Sequence, residues 1–198
     1  MILVVGRPGL DERDRLDRFA GRIGEAAAAA GGRVELVGSV GDDADGERVA
    51  LALGQAGVGH AALLRDPAGV TPRAGGPGGP LPRLDESDVQ LGLAYLTEWR
   101  VLVLAESVDA GVLQAVIEAA EYHDAHLILL VEADAEPVSG LPDKSTVLER
   151  PPSDEGAFTA LVGRYAVALG QGVEPAEAWQ SAVRREGWEP ASQSEEDG

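Results

Sequence analysis

The sequence contains no cysteine among its 198 residues. This absence excludes disulfide bonds, cysteine nucleophiles and metal sites built from thiolates. Aromatic residues make up only 4% of the chain, and Lys144 is the only lysine. No hydrophobic run approaches the length of about 20 residues that a membrane-spanning helix needs, and the N-terminus lacks the pattern of a secretory signal. We therefore expect a cytoplasmic protein.

Positive charge is scarce as well. The chain has 16 Lys and Arg against 34 Asp and Glu, which gives a formal net charge of −18. Such a charge repels nucleic-acid phosphates and anionic membranes. The arginines between Arg7 and Arg22 do not form a basic patch, because acidic residues are interleaved with them. We therefore expect no nucleic acid and no membrane as partners, which leaves a small-molecule ligand, a protein partner or a homodimer.

Apolar residues, in contrast, are abundant enough for a core. They make up 44% of the chain and charged residues 25%, which is typical of a globular protein. We assign residues 1–190 to a single α/β domain. Residues 191–198, ASQSEEDG, are predicted to be a disordered acidic tail.

Short apolar runs alternate with helical patterns along most of this domain. Strands are predicted at residues 2–5, 34–37, 61–64, 101–105, 126–131 and, more weakly, 146–148. Helices are predicted at residues 11–30, 84–97, 108–123, 153–170 and 174–186, with a further one that ends at Gly57. This alternation predicts a three-layer αβα, Rossmann-like fold with a mostly parallel sheet. The Pro/Gly-rich residues 66–83 are predicted to be a flexible loop.

An acidic glycine turn is predicted between the second strand and its helix, over residues 38–46. It includes Val40–Gly46, VGDDADG, and the following helix ends with Leu53–Val58, LGQAGV. This stretch resembles the N-terminal signature of the ribokinase-like (PfkB-type) carbohydrate kinases, V-G-x-D-x-x-G before a helix ending in L-x-x-x-G-V. The resemblance implies a ribokinase-like fold, with Gly41, Asp43 and Gly46 as substrate-binding residues. The alternative is that Asp43 and Gly46 only shape the turn and cap the helix.

The second signature of that family, D-T-x-G-A-G-D-A-F, aligns with Arg150–Phe158, RPPSDEGAF. The resemblance places the family's catalytic base at Gly156, which has no side chain to accept a proton. Loss of a general base removes about 10²–10⁴ in rate. Asp154 and Glu155 are the weak candidates for a replacement, but acidic residues and Ser153 at this point also suit an ordinary helix start.

The chain departs from this family in three further places. The substrate turn G-G-x-x-x-N would fall at residues 17–24, DRFAGRIG, which contain neither a double glycine nor an asparagine. The lid is shortened to the loop 66–83. Little of the nucleotide-binding half fits between residues 132 and 150. The sequence therefore indicates a shortened and degenerate relative of the family.

Other chemistries find little support. The sequence has no G-x-x-x-x-G-K-[ST] phosphate loop, and Gly54, Gly57 and Gly59 fall at a helix end rather than after a strand, so they are no dinucleotide fingerprint. His123 and His126 lie at a helix-to-strand junction and are expected to be surface or structural residues. The acidic cluster of the turn, Asp42, Asp43 and Asp45, is expected to be solvated. We therefore expect no metal site and no cofactor.

The favoured hypothesis is a non-catalytic ribokinase-like protein with a binding, regulatory or assembly role. Two alternatives stay open: a minimal, active ATP-dependent carbohydrate or nucleoside kinase, and an oligomeric scaffold that pairs through an exposed sheet edge.

Overall fold

A computed structural model describes residues 1–151 and 155–186. The eight strands in these ranges are β1 (Ile2–Val5), β2 (Gly9–Leu10), β3 (Leu16–Asp17), β4 (Val34–Gly41), β5 (Val58–Asp66), β6 (Val101–Leu104), β7 (His126–Val131) and β8 (Ser145–Glu149). The helices are α1 (Arg18–Ala29), α2 (Ala44–Gln55), α3 (Glu86–Tyr95), α4 (Ala110–Tyr122), α5 (Glu155–Gly170) and α6 (Pro175–Glu186).

Six of the strands form one sheet in the order β5-β4-β1-β6-β7-β8, and each neighbouring pair is parallel. The chain builds outward from β1 through β4 to β5, and then returns to place β6 on the other side of β1. The strand order therefore reverses between β1 and β6. In open parallel sheets, ligands bind beside the carboxyl ends of the strands at such a switch point.

The sheet is buried on both faces by helices. Ile2 and Val4 point to the core shared with α1, α2, α5 and α6, while Leu3 and Val5 point to the core shared with α3 and α4. This alternation is repeated in β6 and β7 and follows from the period of two along a strand. The predicted three-layer αβα fold with a parallel sheet is confirmed.

The helix predicted for residues 11–30 is wrong over its first seven residues. Strands β2 and β3 form an antiparallel hairpin there, and α1 begins only at Arg18. The Asp11 carboxylate accepts hydrogen bonds from the backbone N–H groups of Arg13 (2.8 Å) and Arg15 (2.9 Å), and Asp14 has φ of +60°. Such local side-chain bonds compete with helix formation and stabilise a turn instead.

The predicted turn at residues 38–46 is wrong in its first half, because β4 continues to Gly41. Residues 38–41 pair with residues 63–66 of β5, so both strands are longer than the apolar runs that predicted them. Gly38 has no room for a side chain, since a Cβ there would overlap the carbonyl oxygen of Gly6. The helix that follows, α2, ends as predicted before Gly57, which has φ of +76°.

The loop 66–83 has no regular secondary structure, as predicted, but it is anchored to its surroundings. Its residues Pro72 and Ala74 exchange backbone hydrogen bonds of 2.9 and 2.8 Å with Leu10 of β2. The guanidinium of Arg73 donates to Asp45 of α2 at 2.9 Å and pairs with Asp14 in the hairpin. The loop, the hairpin and the start of α2 therefore form one connected surface.

The remaining predicted elements are confirmed within one or two residues where the structure describes them. They are β1, β6, β7, β8, α3, α4, α5 and α6. The predicted tail 191–198 lies outside the described residues. Among the helices that are described, none combines the length and apolar character needed to cross a membrane.

Candidate functional site

A crevice lies at the carboxyl ends of β1 and β6, at the switch point of the sheet. Its volume is about 200 Å³. The lining residues come from the ends of β1, β3, β6 and β8 and from the starts of α1 and α5: Arg7, Asp17, Arg18, Phe19, Ala20, Ala105, Glu106, Arg150 and Glu155. Gly6 (φ +152°) allows α1 to approach, because a Cβ there would lie 3.0 Å from the Cβ of Ala20.

Glu106 is the buried carboxylate of this crevice, with 8% of its surface exposed. It accepts hydrogen bonds from the backbone N–H of Arg7 at 2.5 Å and from the Arg7 guanidinium at 3.1 Å. The guanidinium of Arg18 lies 3.5 Å from the same carboxylate. A buried charge is stable only when it is paired in this way. Glu106 thereby fixes the position of two arginines.

Arg150 forms the opposite wall. Its guanidinium lies over the ring of Phe19, 5.2 Å from the ring centre, and Phe19 in turn contacts Phe158 edge-on at 6.0 Å. Arg150 also pairs with Glu132, a carboxylate that is half exposed. Burial lowers the pKa of Arg150, and the nearby Glu106 carboxylate opposes that shift. The aromatic stack and the ion pair hold this cation at the crevice.

The two other carboxylates of the lining are paired with Arg22, which is not a lining residue. Its guanidinium lies 2.5 Å from Asp17 at the start of α1 and 3.5 Å from Glu155 at the start of α5. Each of the three carboxylates among the described lining residues therefore has a guanidinium partner.

Hydrogen-bond donors, in contrast, are left over. The Nε atoms of Arg7 and Arg150 are both buried and have no hydrogen-bond partner in the described part of the chain. Buried N–H groups are nearly always paired in folded proteins. Two arginines of the lining thus each carry a buried N–H without a partner, whereas every described carboxylate of the lining is paired.

The structure places Gly41, Asp43 and Gly46 elsewhere, against the loop 66–83. The carboxylate of Asp43 accepts from the N–H groups of Gly46 (2.7 Å) and Thr71 (2.9 Å), and the Gly41 N–H donates to the Thr71 hydroxyl at 2.9 Å. A Cβ at Gly41 or Gly46 would crowd Thr71. In the described structure these residues cap α2 and hold the loop, and none of them lines the crevice.

The second signature lies at the start of α5. Gly156 is in its first turn and has open space around its Cα. Glu155 opens the helix, lines the crevice and pairs with Arg22, while its side chain is 52% exposed. The other weak candidate for a base, Asp154, lies outside the described residues, as does the predicted cap Ser153.

The histidines and the acidic turn do not converge. His123 stacks on Trp99 with 4.3 Å between ring centres, and burial lowers the pKa of His126. In the turn, Asp45 pairs with Arg48 and Arg73. Within residues 1–151 and 155–186, no three His, Asp or Glu side chains are grouped so that they could hold a metal ion.

Sequence reasoning missed Arg7, Arg18, Glu106 and Arg150. A signal for two of them was present, because Gly6-Arg7 and Glu106 directly follow two predicted strands, where parallel sheets carry their sites. Arg150 likewise follows the weakly predicted strand 146–148, and Arg18 lies within residues 17–24, where the substrate turn would fall, but neither stretch indicated that an arginine would line a crevice.

No family model and no curated protein sequence matches the chain. Solved structures do. The phosphofructokinase-2 of Escherichia coli in complex with fructose-6-phosphate aligns at 15% identity with a TM-score of 0.65, over 94% of this chain and 92% of that chain. The ribokinase of Arabidopsis thaliana complexed with ribose and ATP aligns at 14% identity with a TM-score of 0.65, over 93% and 90%.

A fructokinase of Xylella fastidiosa with bound ATP aligns at 15% identity with a TM-score of 0.54, over 92% of this chain and 68% of that chain. At such low identities these likenesses concern the fold and not the activity. They agree with the family that the acidic glycine turn resembles. The chain has a ribokinase-like fold.

Proposed function

We propose that this protein is a non-catalytic ribokinase-like protein that binds a small molecule in the crevice between β1 and β6 and transfers no phosphoryl group. One observation carries the proposal: each described carboxylate of the crevice, Asp17, Glu106 and Glu155, is paired with an arginine.

A kinase of small hydroxylated substrates needs a general base within hydrogen-bond reach of the hydroxyl that attacks. Glu106 already accepts from two N–H donors of Arg7, and its second guanidinium neighbour is Arg18. Glu155 is directed to Arg22, and Gly156 has no acidic side chain. These contacts favour binding over proton transfer.

The size of the crevice also supports a small ligand. Pockets for drug-sized ligands measure about 300–1,000 Å³. The volume of about 200 Å³ found here is smaller. It suits a molecule of a few carbons better than a nucleoside triphosphate.

An oligomeric scaffold is the second candidate function. Strand β5 is an edge of the sheet, and beside it the α3 side chains of Leu91 and Tyr95 are 66% and 71% exposed. Edge strands next to apolar surface favour pairing with another chain. Light scattering would support this candidate by finding a dimer or larger species, and a monomer would exclude it.

The proposal is tested by measuring ATP consumption with a panel of sugars and nucleosides, using an authentic sugar kinase as positive control. We expect no substrate-dependent turnover above the background without protein, because no carboxylate among the described residues of the crevice is free of an arginine partner. Trace activity that persists in the Glu106→Gln and Arg150→Gln variants would come from a contaminant. Stoichiometric phosphorylation of any panel member that is lost in both variants would overturn the proposal.

A further inference from the structure

We propose that two copies of this chain associate through strand β5, which pairs in antiparallel direction with β5 of the second copy and continues the sheet across a two-fold axis. The inference rests on the second candidate function and deepens it, because it names the partner, the surface and the symmetry. It does not depend on whether the crevice binds a ligand.

The two edges of the sheet differ in how well they are protected against pairing. Strand β8 has five residues, ends in Glu149 and directly follows Lys144. Short edge strands and charged side chains are common devices against edge-to-edge association. Strand β5 has nine residues, and its stretch from Val58 to Leu64 contains no Asp, Glu, Lys or Arg. No described strand pairs with its outer side, so that side remains a template for another chain.

The second half of β5 is regular enough to pair with its own copy. A bulge interrupts the first half, whereas residues 62–66 pair without a shift with β4. Antiparallel pairing about Leu63 places Ala62 of one copy opposite Leu64 of the other. The two Arg65 side chains are then not opposed, which avoids the repulsion of directly facing like charges.

An apolar groove runs beside this half of the strand, between β5 and α3. Its volume is about 220 Å³, and among its described lining residues only Asp88 is charged. Leu91 and Tyr95, one turn apart on α3, line the groove and are 66% and 71% exposed. Ala62 and Leu64 line it as well, so Leu64 of the second copy, opposite Ala62, would bring a further apolar side chain to it. Contiguous exposed apolar surface of this kind marks interaction sites.

Charge favours a second copy as the occupant of this edge. Two molecules with a formal net charge of −18 repel each other, so they can approach only where acidic residues are sparse. Residues 48–84, which include β5, contain one of the 34 acidic residues, Asp66. Its carboxylate accepts from the backbone N–H groups of Ala68 (2.9 Å) and Arg83 (2.6 Å) in its own loop. A basic partner would find little complementary charge here, whereas a second copy meets the same apolar, acid-poor surface.

The area of the edge is sufficient for a dimer. Nine residues of strand span about 30 Å. Helices cover both faces of β5, because a Cβ at Gly54 of α2 would lie 3.7 Å from His60 and a Cβ at Gly92 of α3 would lie 3.3 Å from Ala62. With helices about 10 Å across, the edge measures on the order of 700 Å² per copy. Specific interfaces bury about 800 Å² per partner.

The first test measures the mass of the whole chain by static light scattering at protein concentrations up to about 100 µM. We expect wild type to form a dimer. Tyr95→Glu should raise the dissociation constant of the dimer at least about tenfold, because it places a charge in the apolar contact. Tyr122→Glu is the matched control, since Tyr122 is 86% exposed on α4. Circular dichroism establishes that both variants are folded. A monomeric wild type, or equal dissociation constants in the two variants, would overturn the inference.

The second test examines the pairing itself and uses the absence of cysteine from the chain. Opposed side chains in an antiparallel pair have their Cβ atoms about 4.5–5.5 Å apart, close to the separation that a disulfide needs. Under oxidation by copper phenanthroline, Leu63→Cys should therefore form a disulfide-linked dimer. Val147→Cys is the control, because Val147 is 47% exposed on the other edge strand, β8. Cross-linking of Leu63→Cys that does not exceed that of Val147→Cys would refute antiparallel pairing of β5.

The outcomes also distinguish this inference from the proposed function. The crevice lies between β1 and β6, and β4 separates β1 from the edge strand β5. A monomeric wild type would refute the β5 dimer and leave a non-catalytic binding protein. Phosphoryl transfer in the ATP assay would refute the proposed function whatever the oligomeric state is.

Discussion

Glu106 and its two arginines illustrate how one residue can determine both the stability and the chemistry of the crevice. The carboxylate is 8% exposed and accepts from the Arg7 backbone and side chain. Removing one partner of a buried pair leaves the other charge without compensation, and that cost exceeds the net contribution of the pair itself. Arg7 would be the residue left behind, because its side chain is only 16% exposed.

We therefore expect Glu106→Gln to lower the free energy of unfolding by about 1–3 kcal/mol. Urea denaturation followed by tryptophan fluorescence measures this difference. Glu121→Gln is the matched control, since it changes net charge equally on the exposed surface of α4. If the two variants were equally stable, Glu106 would not be the structural anchor of the arginines.

The sequence could predict part of this site in principle, because Arg7 and Glu106 directly follow two apolar runs. It could not predict which carboxylates are paired. Arg22 of α1 pairs with Asp17, just before that helix, and also with Glu155 of the distant helix α5. The acidic glycine turn shows the opposite case. Its residues indicated the fold. That they bind substrate stays a prediction. In the structure, the Asp43 carboxylate accepts hydrogen bonds from the N–H groups of Gly46 and Thr71.

The loop 66–83 is the element whose position depends most on a few polar contacts. Asp43 caps α2 and also accepts from Thr71 in the loop. Burial acts to raise the pKa of Asp43, but the hydrogen bonds from Thr71 and Gly46 outweigh it and lower the pKa below its ordinary value. A carboxylate with a lowered pKa in the folded state stabilises the fold above its unfolded-state pKa, and that stability is lost as the pH falls.

We expect Asp43→Ala to lower the free energy of unfolding by about 1–2 kcal/mol at pH 7, since it removes a helix cap and a loop anchor. The difference from wild type should shrink as the pH falls below about 4, the ordinary pKa of Asp, because the unfolded chain then binds a proton that the folded Asp43 carboxylate still resists. Urea denaturation at pH 7 and pH 3 measures both values.

Loss of the anchor should also expose the loop to protease. Trypsin should cleave after Arg73 faster in Asp43→Ala than in wild type, because the backbone around Thr71 is freed. Asp109→Ala is the control, since Asp109 caps α4 through Val112 and does not contact the loop. Equal cleavage rates in the two variants would show that the loop is held without Asp43.

At the level of elements, the sequence predicted what depends on apolar pattern and missed what depends on side-chain contacts with the backbone. Strands β1, β6 and β7 are continuous apolar runs buried on both faces, so their pattern suffices. The hairpin of β2 and β3 depends on Asp11 and a positive φ at Asp14, in a stretch whose composition favours a helix. The extension of β4 depends on pairing with β5.

For the whole molecule, the sheet couples two apolar cores that lie on its opposite faces. Trp99 is buried in the core with α3 and α4, whereas Trp179 packs against Tyr165 in the core with α5 and α6. Successive residues of β1 and β6 contribute to the two cores in turn. Because the same strands complete both cores, we expect both to unfold in one cooperative step.

This coupling predicts the behaviour of two variants that each retain one of these tryptophans. Trp179→Phe combined with Trp188→Phe leaves Trp99, and Trp99→Phe combined with Trp188→Phe leaves Trp179. Within each variant, the urea midpoint from fluorescence should coincide with the midpoint from far-ultraviolet circular dichroism, although the two variants differ in stability.

A fluorescence transition that precedes the loss of secondary structure in one variant only would mean that one helical layer detaches while the sheet persists. The crevice draws residues from α1 and α5 on the same face, so early detachment of that layer would dismantle the binding site before the protein unfolds.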